Sequence, residues 1–186
     1  MTFVTQLWIP IVVSAVLVFI ASSLIHMVFK WHNADFRKLA NEDDVRAVIR
    51  AGHAEPGQYV LPHCADMKDM KNPDFVRKFD EGPVGMVTLR PVGPPKMGGA
   101  LGMWFVYTLA IGTLAAYVAE KTLGPQSSFL QVCRVVSVLA FLAYAAGSVQ
   151  MGIWMGKPWG SVAKDLLDGA IYATLTALTF GWFWTH

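Results

Sequence analysis

Four long apolar stretches alternate with polar segments, and three of the four lie in the second half of the chain. Each is roughly 17 to 25 residues long, the length that a helix needs to cross about 30 Å of hydrocarbon. Their cores carry no charged residue and occupy residues 7–29, 100–119, 135–154 and 169–184. The pattern therefore predicts an all-α membrane protein with four transmembrane helices.

The ends of these spans divide the chain into three parts. Residues 1–29 form the first transmembrane helix, 30–99 a polar segment, and 100–186 a region of three transmembrane helices. The polar segment is too long for a simple connector and too short to build a large core of its own. We therefore expect it to form a small cap between the first and second spans.

Local signals give this cap both helices and strands. Asn41 and Asn72 are placed to cap two short helices, each followed by a glycine that can end it. Apolar runs at 59–61 and 86–89 sit between turn residues and predict two short strands, which can pair as a ribbon. The cap is therefore predicted to be α(+β).

Basic residues predict the orientation of the chain in the bilayer. Residues 1–29 contain no Lys or Arg, whereas the segment that follows holds most of them. The membrane-proximal basic residues on that side are Lys30, Arg37, Lys38, Arg46, Arg90, Lys96, Lys157 and Lys164, against Lys121 and Arg134 on the other. The positive-inside rule then places the cap in the cytoplasm and both termini outside. Acidic residues offset the basic ones and the net charge is only +2, which argues against a nucleic-acid partner.

One short stretch of the cap carries several soft metal ligands. His63, Cys64, Met67 and Met70 lie within eight residues, and sulfur with imidazole suits a soft ion such as Cu(I). The spacing matches no zinc pattern. The alternative is ordinary packing, because two methionines three residues apart on a helix also face one apolar neighbour.

Two histidines flank the end of the first span. His26 and His32 are candidates to hold a polar ligand or cofactor at the interface, and with Asp35 they are the groups at the right depth for an enzyme acting on lipid or quinone. The remaining three spans contain no histidine, which argues against a buried bis-His haem. The sequence requires no cofactor, and no hydrolase, nucleotide-binding or metalloprotease motif is present.

Small residues recur at helical spacing in the spans. Gly112 and Ala116 lie four residues apart in the second span, and Ala173, Ala177 and Gly181 do the same in the fourth. Such stripes let helices approach closely in lipid, either within one chain or between subunits. Together with the absence of a catalytic motif, they favour a non-catalytic accessory or structural subunit of a membrane complex, or a homo-oligomer. A metal-binding or small-ligand-binding protein using the cap, and the interfacial enzyme, are the alternatives.

Several short motifs resemble a group of bacterial inner-membrane proteins that have four spans and no assigned function. The motifs are Trp31 and His32 with Asp35; Gly82-Pro83-Val84-Gly85; Trp104-Phe105-Val106-Tyr107; Ile153-Trp154 with Pro158-Trp159; and Asp168-Gly169-Ala170-Ile171-Tyr172 followed by Thr179-Phe180-Gly181-Trp182. The resemblance implies the inner membrane of a bacterium as the location. It supplies no activity, substrate or catalytic residue.

Overall fold

The computed structural model describes residues 3–184 and is mostly helical, at 73%. In chain order the helices are α1 (Phe3–Ser23), α2 (Glu42–Ala51), α3 (Pro73–Glu81), α4 (Met97–Thr122), α5 (Phe129–Met155) and α6 (Trp159–Phe183), and the strands are β1 (Gly57–Leu61) and β2 (Gly85–Leu89). Four helical segments are long and apolar enough to cross a membrane, namely Val4–Phe29, Met97–Thr122, Phe129–Met155 and Trp159–Phe183. The prediction of four membrane-spanning helices is confirmed at this level. Met1 and His186, the termini predicted to lie outside the membrane, fall outside the described residues.

The first span changes its helical geometry twice. Pro10 lacks a backbone N–H, and the α-helix is interrupted at Leu7, whose φ is −110°. After α1 the chain continues as a π-helical turn over Leu24–Phe29, in which the N–H of Lys30 donates to the carbonyl of Ile25 at 3.0 Å. A short 3-10 helix, Trp31–Asp35, follows at once.

The four long helices share one core of mostly small and branched side chains. Its buried residues come from α1, α4, α5, α6 and the residue after α6, and they are Leu7, Ile11, Ala115, Ala116, Ala119, Val132, Val136, Ala177, Phe180 and Trp184. A second cluster contains Val18, Ile25 and Tyr172. The alanines let the helices approach one another closely.

The predicted packing residues of the second span contact the first. A Cβ added at Gly112 would lie 3.4 Å from the carbonyl oxygen of Ile11 and 3.4 Å from Oγ of Ser14. Ala116, one turn further along α4, is fully buried. This small-residue face therefore packs α4 against α1 within the chain.

The predicted stripe of the fourth span contacts α5. A Cβ added at Gly181 would lie 2.8 Å from both Sγ of Cys133 and the ring of Phe129. The thiol of Cys133 donates to the carbonyl of Ala177 at 3.3 Å, and Ala173 and Ala177 are both buried. The sequence did not decide whether this stripe packs against a helix of the same chain or against another subunit. In the structure, α5 of the same chain packs against it.

The chain forms two compact units. One contains the four long helices and the segment up to Phe36, and the other contains Arg37–Pro95 with Ile153–Gly156. The 30–36 segment therefore belongs with the spans rather than with the predicted cap. Another difference is the start of α6 at Trp159, earlier than the predicted apolar core at 169. The helix continues through its charged residues because they find partners, as described below.

The second unit contains the elements predicted for the cap. Asn41 occupies the predicted N-cap position of α2, but its side chain makes no capping hydrogen bond. The side chain of Asn72 caps α3 by accepting a hydrogen bond from the N–H of Asp74 at 3.0 Å. The strands pair antiparallel, with Gly57 opposite Leu89 at one end of the two-stranded sheet.

The second unit has little core of its own. None of the described residues 37–95 is buried. An apolar cavity of about 420 Å³ lies between α2 and the two strands, lined by side chains that include Val45, Val48, Ile49, Tyr59, Leu61 and Val87.

Candidate functional site

Two consecutive elements of the first unit and the last helix of the chain bring polar side chains together. The π-helical turn carries His26, the 3-10 helix carries His32 and Asp35, and α6 carries Lys164 and Asp168. We call these five residues the His–Asp cluster. Two of its members, Lys164 and Asp168, lie inside the fourth candidate membrane span, where ionisable residues are costly unless paired and commonly mark function.

His32 lies between two carboxylates. Its Nδ1 is 2.8 Å from Oδ2 of Asp35, and its Nε2 is 2.8 Å from Oδ2 of Asp168. When both carboxylates are ionised, both contacts are hydrogen bonds only if each ring nitrogen carries a proton. The side chains are 14% and 7% exposed for His32 and Asp168, so these charge-assisted bonds are largely shielded from water.

Lys164 binds Asp35, the carboxylate that contacts Nδ1 of His32. Its Nζ donates to Oδ1 of Asp35 at 2.7 Å and to the carbonyl of Trp31 at 2.8 Å. The Lys164 ammonium, and after it the hydrogen bonds from His32 and Ser161, lower the pKa of Asp35 to about 2, against an opposing effect of desolvation. Asp35 is therefore a carboxylate at any physiological pH.

Asp168 has one oxygen without a protein partner. Its Oδ2 faces His32, whereas Oδ1 is buried and has no hydrogen-bond partner among residues 3–184. Buried carboxylate oxygens normally have a partner, so this oxygen is free to accept a hydrogen bond or to coordinate an ion. Nε1 of Trp31, the hydroxyl of Tyr172 and Oε2 of Glu120 are the other buried polar atoms without a hydrogen-bond partner among the described residues.

His26 completes the cluster on its open side. Its Nε2 is 3.8 Å from Oδ2 of Asp168, its ring centroid is 4.8 Å from that of His32, and its side chain is 51% exposed. One ligand atom each from His26, His32 and Asp168 lie within 4.8 Å of one another. Ligand atoms around a tetrahedral zinc ion are about 3.4 Å apart, so His32 Nε2 and Asp168 Oδ2, now 2.8 Å apart, would have to separate before an ion could bind between them.

The same contacts also hold the segment after the first span against α6, which yields a stability prediction. We expect Lys164→Met to lower the thermal unfolding midpoint at pH 7, because Asp35 and the Trp31 carbonyl lose their cation. The lowered pKa of Asp35 stabilises the fold above its ordinary value of 3.8, and this contribution is lost as pH falls to about 2. The difference in thermal unfolding midpoint between Lys164→Met and wild type should therefore become smaller as pH falls from 3.8 to about 2.

Melting curves in detergent between pH 7 and pH 2 measure this effect. Lys38→Met, at an exposed lysine, serves as the control. A difference between Lys164→Met and wild type that stays constant below pH 4 would contradict the assignment of Asp35 as the group concerned.

The sequence found part of this cluster and missed the rest. His26, His32 and Asp35, predicted as interfacial residues, are brought together. Lys164 pairs with Asp35 across 129 residues of sequence, and this contact was not predicted. Asp168 was not predicted as a site residue either. A carboxylate within a long helix of the membrane region was the signal that could have found it.

Asp165, on the same helix, has a different environment. Its Oδ2 accepts hydrogen bonds from the ammonium of Lys157 and the hydroxyl of Ser148. Lys157 and Ser148 thus satisfy Oδ2 of Asp165, and neither belongs to the His–Asp cluster.

The predicted soft-metal residues lie in the second unit. His63 and Cys64 follow β1, and Met67 and Met70 lie on a 3-10 helix, Met67–Lys71, with both side chains exposed. The thiol of Cys64 donates to the carbonyl of Asp66 at 2.9 Å. Binding of a soft metal by these four residues stays a prediction.

No protein-family model, curated protein or solved structure matches this chain. The resemblance to bacterial inner-membrane proteins without an assigned function therefore stays a prediction.

Proposed function

We propose that this chain is a membrane-integral metal-binding protein in which His26, His32 and Asp168 hold one divalent transition-metal ion. The observation that carries the proposal is the contact between His32 Nδ1 and Asp35 at 2.8 Å. Metal-binding histidines usually donate their second ring N–H to a carboxylate, which fixes the tautomer and the ring orientation. Asp35 orients His32 in this way and leaves Nε2 facing Asp168.

The ligand set suits a first-row divalent ion. Two imidazoles and one carboxylate are the ligands of catalytic zinc sites and of non-haem iron sites, and both keep a coordination position open. Of the three ligand residues, only His26 has a half-exposed side chain. With an ion bound, His32 would coordinate through a deprotonated Nε2, and its Nδ1–H would still donate to Oδ2 of Asp35.

The remaining residues hold the ligands in place. Lys164 keeps Asp35 ionised and attached to the 3-10 helix through the Trp31 carbonyl. Asp168 offers a buried, unpaired Oδ1 in addition to the Oδ2 near both histidines, so the carboxylate can coordinate through either oxygen. Each group in the cluster thus has a distinct role around one ion.

We place the cluster at the cytoplasmic side of a bacterial inner membrane. Support comes from the excess of Lys and Arg after the first span, since His32 and Asp35 open that basic segment. Tags on the termini, read with membrane-impermeant reagents, test the orientation.

Metal analysis of the purified protein tests the binding function. After equilibration with Zn²⁺ and removal of excess metal, we expect about one zinc per wild-type chain. The double variant His26→Ala, His32→Ala should retain almost none, because one carboxylate alone binds zinc weakly.

The matched control is the double variant His63→Ala, Cys64→Ala, which removes the other predicted metal ligands. It should keep the wild-type zinc content. Zinc lost from this control but kept by the His26/His32 variant would contradict the proposal and move the metal to the second unit.

The accessory-subunit prediction rested on small-residue faces that contact other helices of the same chain. Membership of a larger membrane complex therefore stays a prediction. The particle size of the purified protein in mild detergent tests it. An interfacial enzyme is compatible with the proposed metal site, because an open coordination position is what metal catalysis requires.

A further inference from the structure

Asp168 and Tyr172 form one buried face of α6. They are four residues apart, so they lie on the same side of the helix. Both residues are about 95% buried, at 5% and 4% exposure. Long side chains on a helix lean toward its N-terminus, which directs the Tyr172 ring back over the turn that carries Asp168.

The Tyr172 hydroxyl is a donor without an acceptor. It is buried and has no hydrogen-bond partner among residues 3–184, although buried tyrosine hydroxyls normally find one. The ring is enclosed by other aromatic residues, with the Tyr144 centroid at 5.5 Å and the Trp104 centroid at 6.1 Å. These contacts hold the ring in place.

A second unpaired donor belongs to the same neighbourhood. Trp31 packs against the apolar cluster that contains Tyr172, and its indole Nε1–H has no partner among the described residues. The same tryptophan adjoins His32, at a centroid distance of 6.3 Å. Beside the proposed metal ligands the chain therefore supplies two buried donors that require an oxygen acceptor.

We propose that Tyr172 donates a hydrogen bond to an oxygen ligand in the open coordination position of the metal, so that the site selects small oxyanions such as carboxylates. This inference rests on the proposed metal site. The ion attracts the anion, and the Tyr172 hydroxyl, assisted by Trp31 Nε1–H, orients its second oxygen. Tyr172 is thus a residue that determines ligand specificity rather than a metal ligand.

Cobalt-substituted protein makes this test direct, because Co²⁺ reports its ligands through visible absorption. Acetate is titrated into wild type and Tyr172→Phe, each loaded with Co²⁺. We expect the Co²⁺ affinity of the variant to stay within about twofold of wild type. Its acetate affinity should fall about tenfold, the usual value of one hydrogen bond to a charged acceptor.

Tyr144→Phe is the matched control. It removes a hydroxyl from the same aromatic group, but that hydroxyl is hydrogen-bonded to Thr176. It should leave acetate binding unchanged. Trp31→Phe, which removes the second donor, should weaken acetate binding in the same direction as Tyr172→Phe.

The outcomes separate the two proposals. Wild-type protein that binds no Co²⁺ contradicts the metal site itself. Co²⁺ bound normally with equal acetate affinity in wild type and Tyr172→Phe overturns the specificity role alone. Loss of Co²⁺ from Tyr172→Phe also overturns it, because the phenol would then be a metal ligand.

Discussion

Asp168→Ala is expected to destabilise the metal-free protein by about 3 to 5 kcal/mol, the usual cost of removing one partner from a buried charge pair. The Nε2–H of His32 loses its acceptor. Only Asp35 then remains as a carboxylate in contact with His32 and Lys164. Chemical denaturation in detergent with a chelator present measures this loss.

Asp165→Ala is the comparison on the same helix. Its ion pair with Lys157 is partly open to solvent, with side chains 25% and 34% exposed. Removing it should cost no more than about 1 kcal/mol. Equal losses of unfolding free energy for Asp168→Ala and Asp165→Ala would show that the contacts of Asp168 are no more shielded from water than the Asp165–Lys157 pair.

Gly169→Ala should be the most damaging single-methyl substitution on α6. A Cβ at this position would lie 2.4 Å from the Cβ of Ala145 and 3.2 Å from its Cα, so the backbone of α5 must move. Overpacking of this kind costs about 1 to 3 kcal/mol. For a chain of this length each kcal/mol lowers the melting temperature by about 2 to 4 °C.

Gly147→Ala provides the control within α5. A Cβ at this glycine has no heavy atom within 4 Å among the described residues. We expect its melting temperature to stay at or slightly above the wild-type value, since alanine favours helix over glycine. A harmless Gly169→Ala would mean that α5 and α6 are not in close contact beside Asp168.

The helices could be predicted because their signals are local. Long apolar runs give the spans, and asparagine and glycine at the right spacing give α2 and α3. Each signal lies within about 25 consecutive residues. The structure extends these elements, most of all α6, which begins at Trp159 rather than at 169, and it ends the first span in a π-helical turn.

The site could be predicted only in part, because its contacts are distant in sequence. His32 and Asp168 are separated by 136 residues, and no periodicity in either segment indicates the other. A single sequence also favours the wrong partner for Lys164, since Asp165 and Asp168 are near it on the same helix. Only the packing of α6 against the first span decides in favour of Asp35.

The π-helical turn over Leu24–Phe29 changes the direction in which the side chains after it point. An extra residue in a helical turn shifts every later side chain by about 100° around the axis. Before the turn, α1 keeps the phase that its contacts with α4 require; after it, the phase is free to suit the residues that follow. The wider turn therefore separates the packing of α1 against α4 from the placement of His26 and His32 against α6.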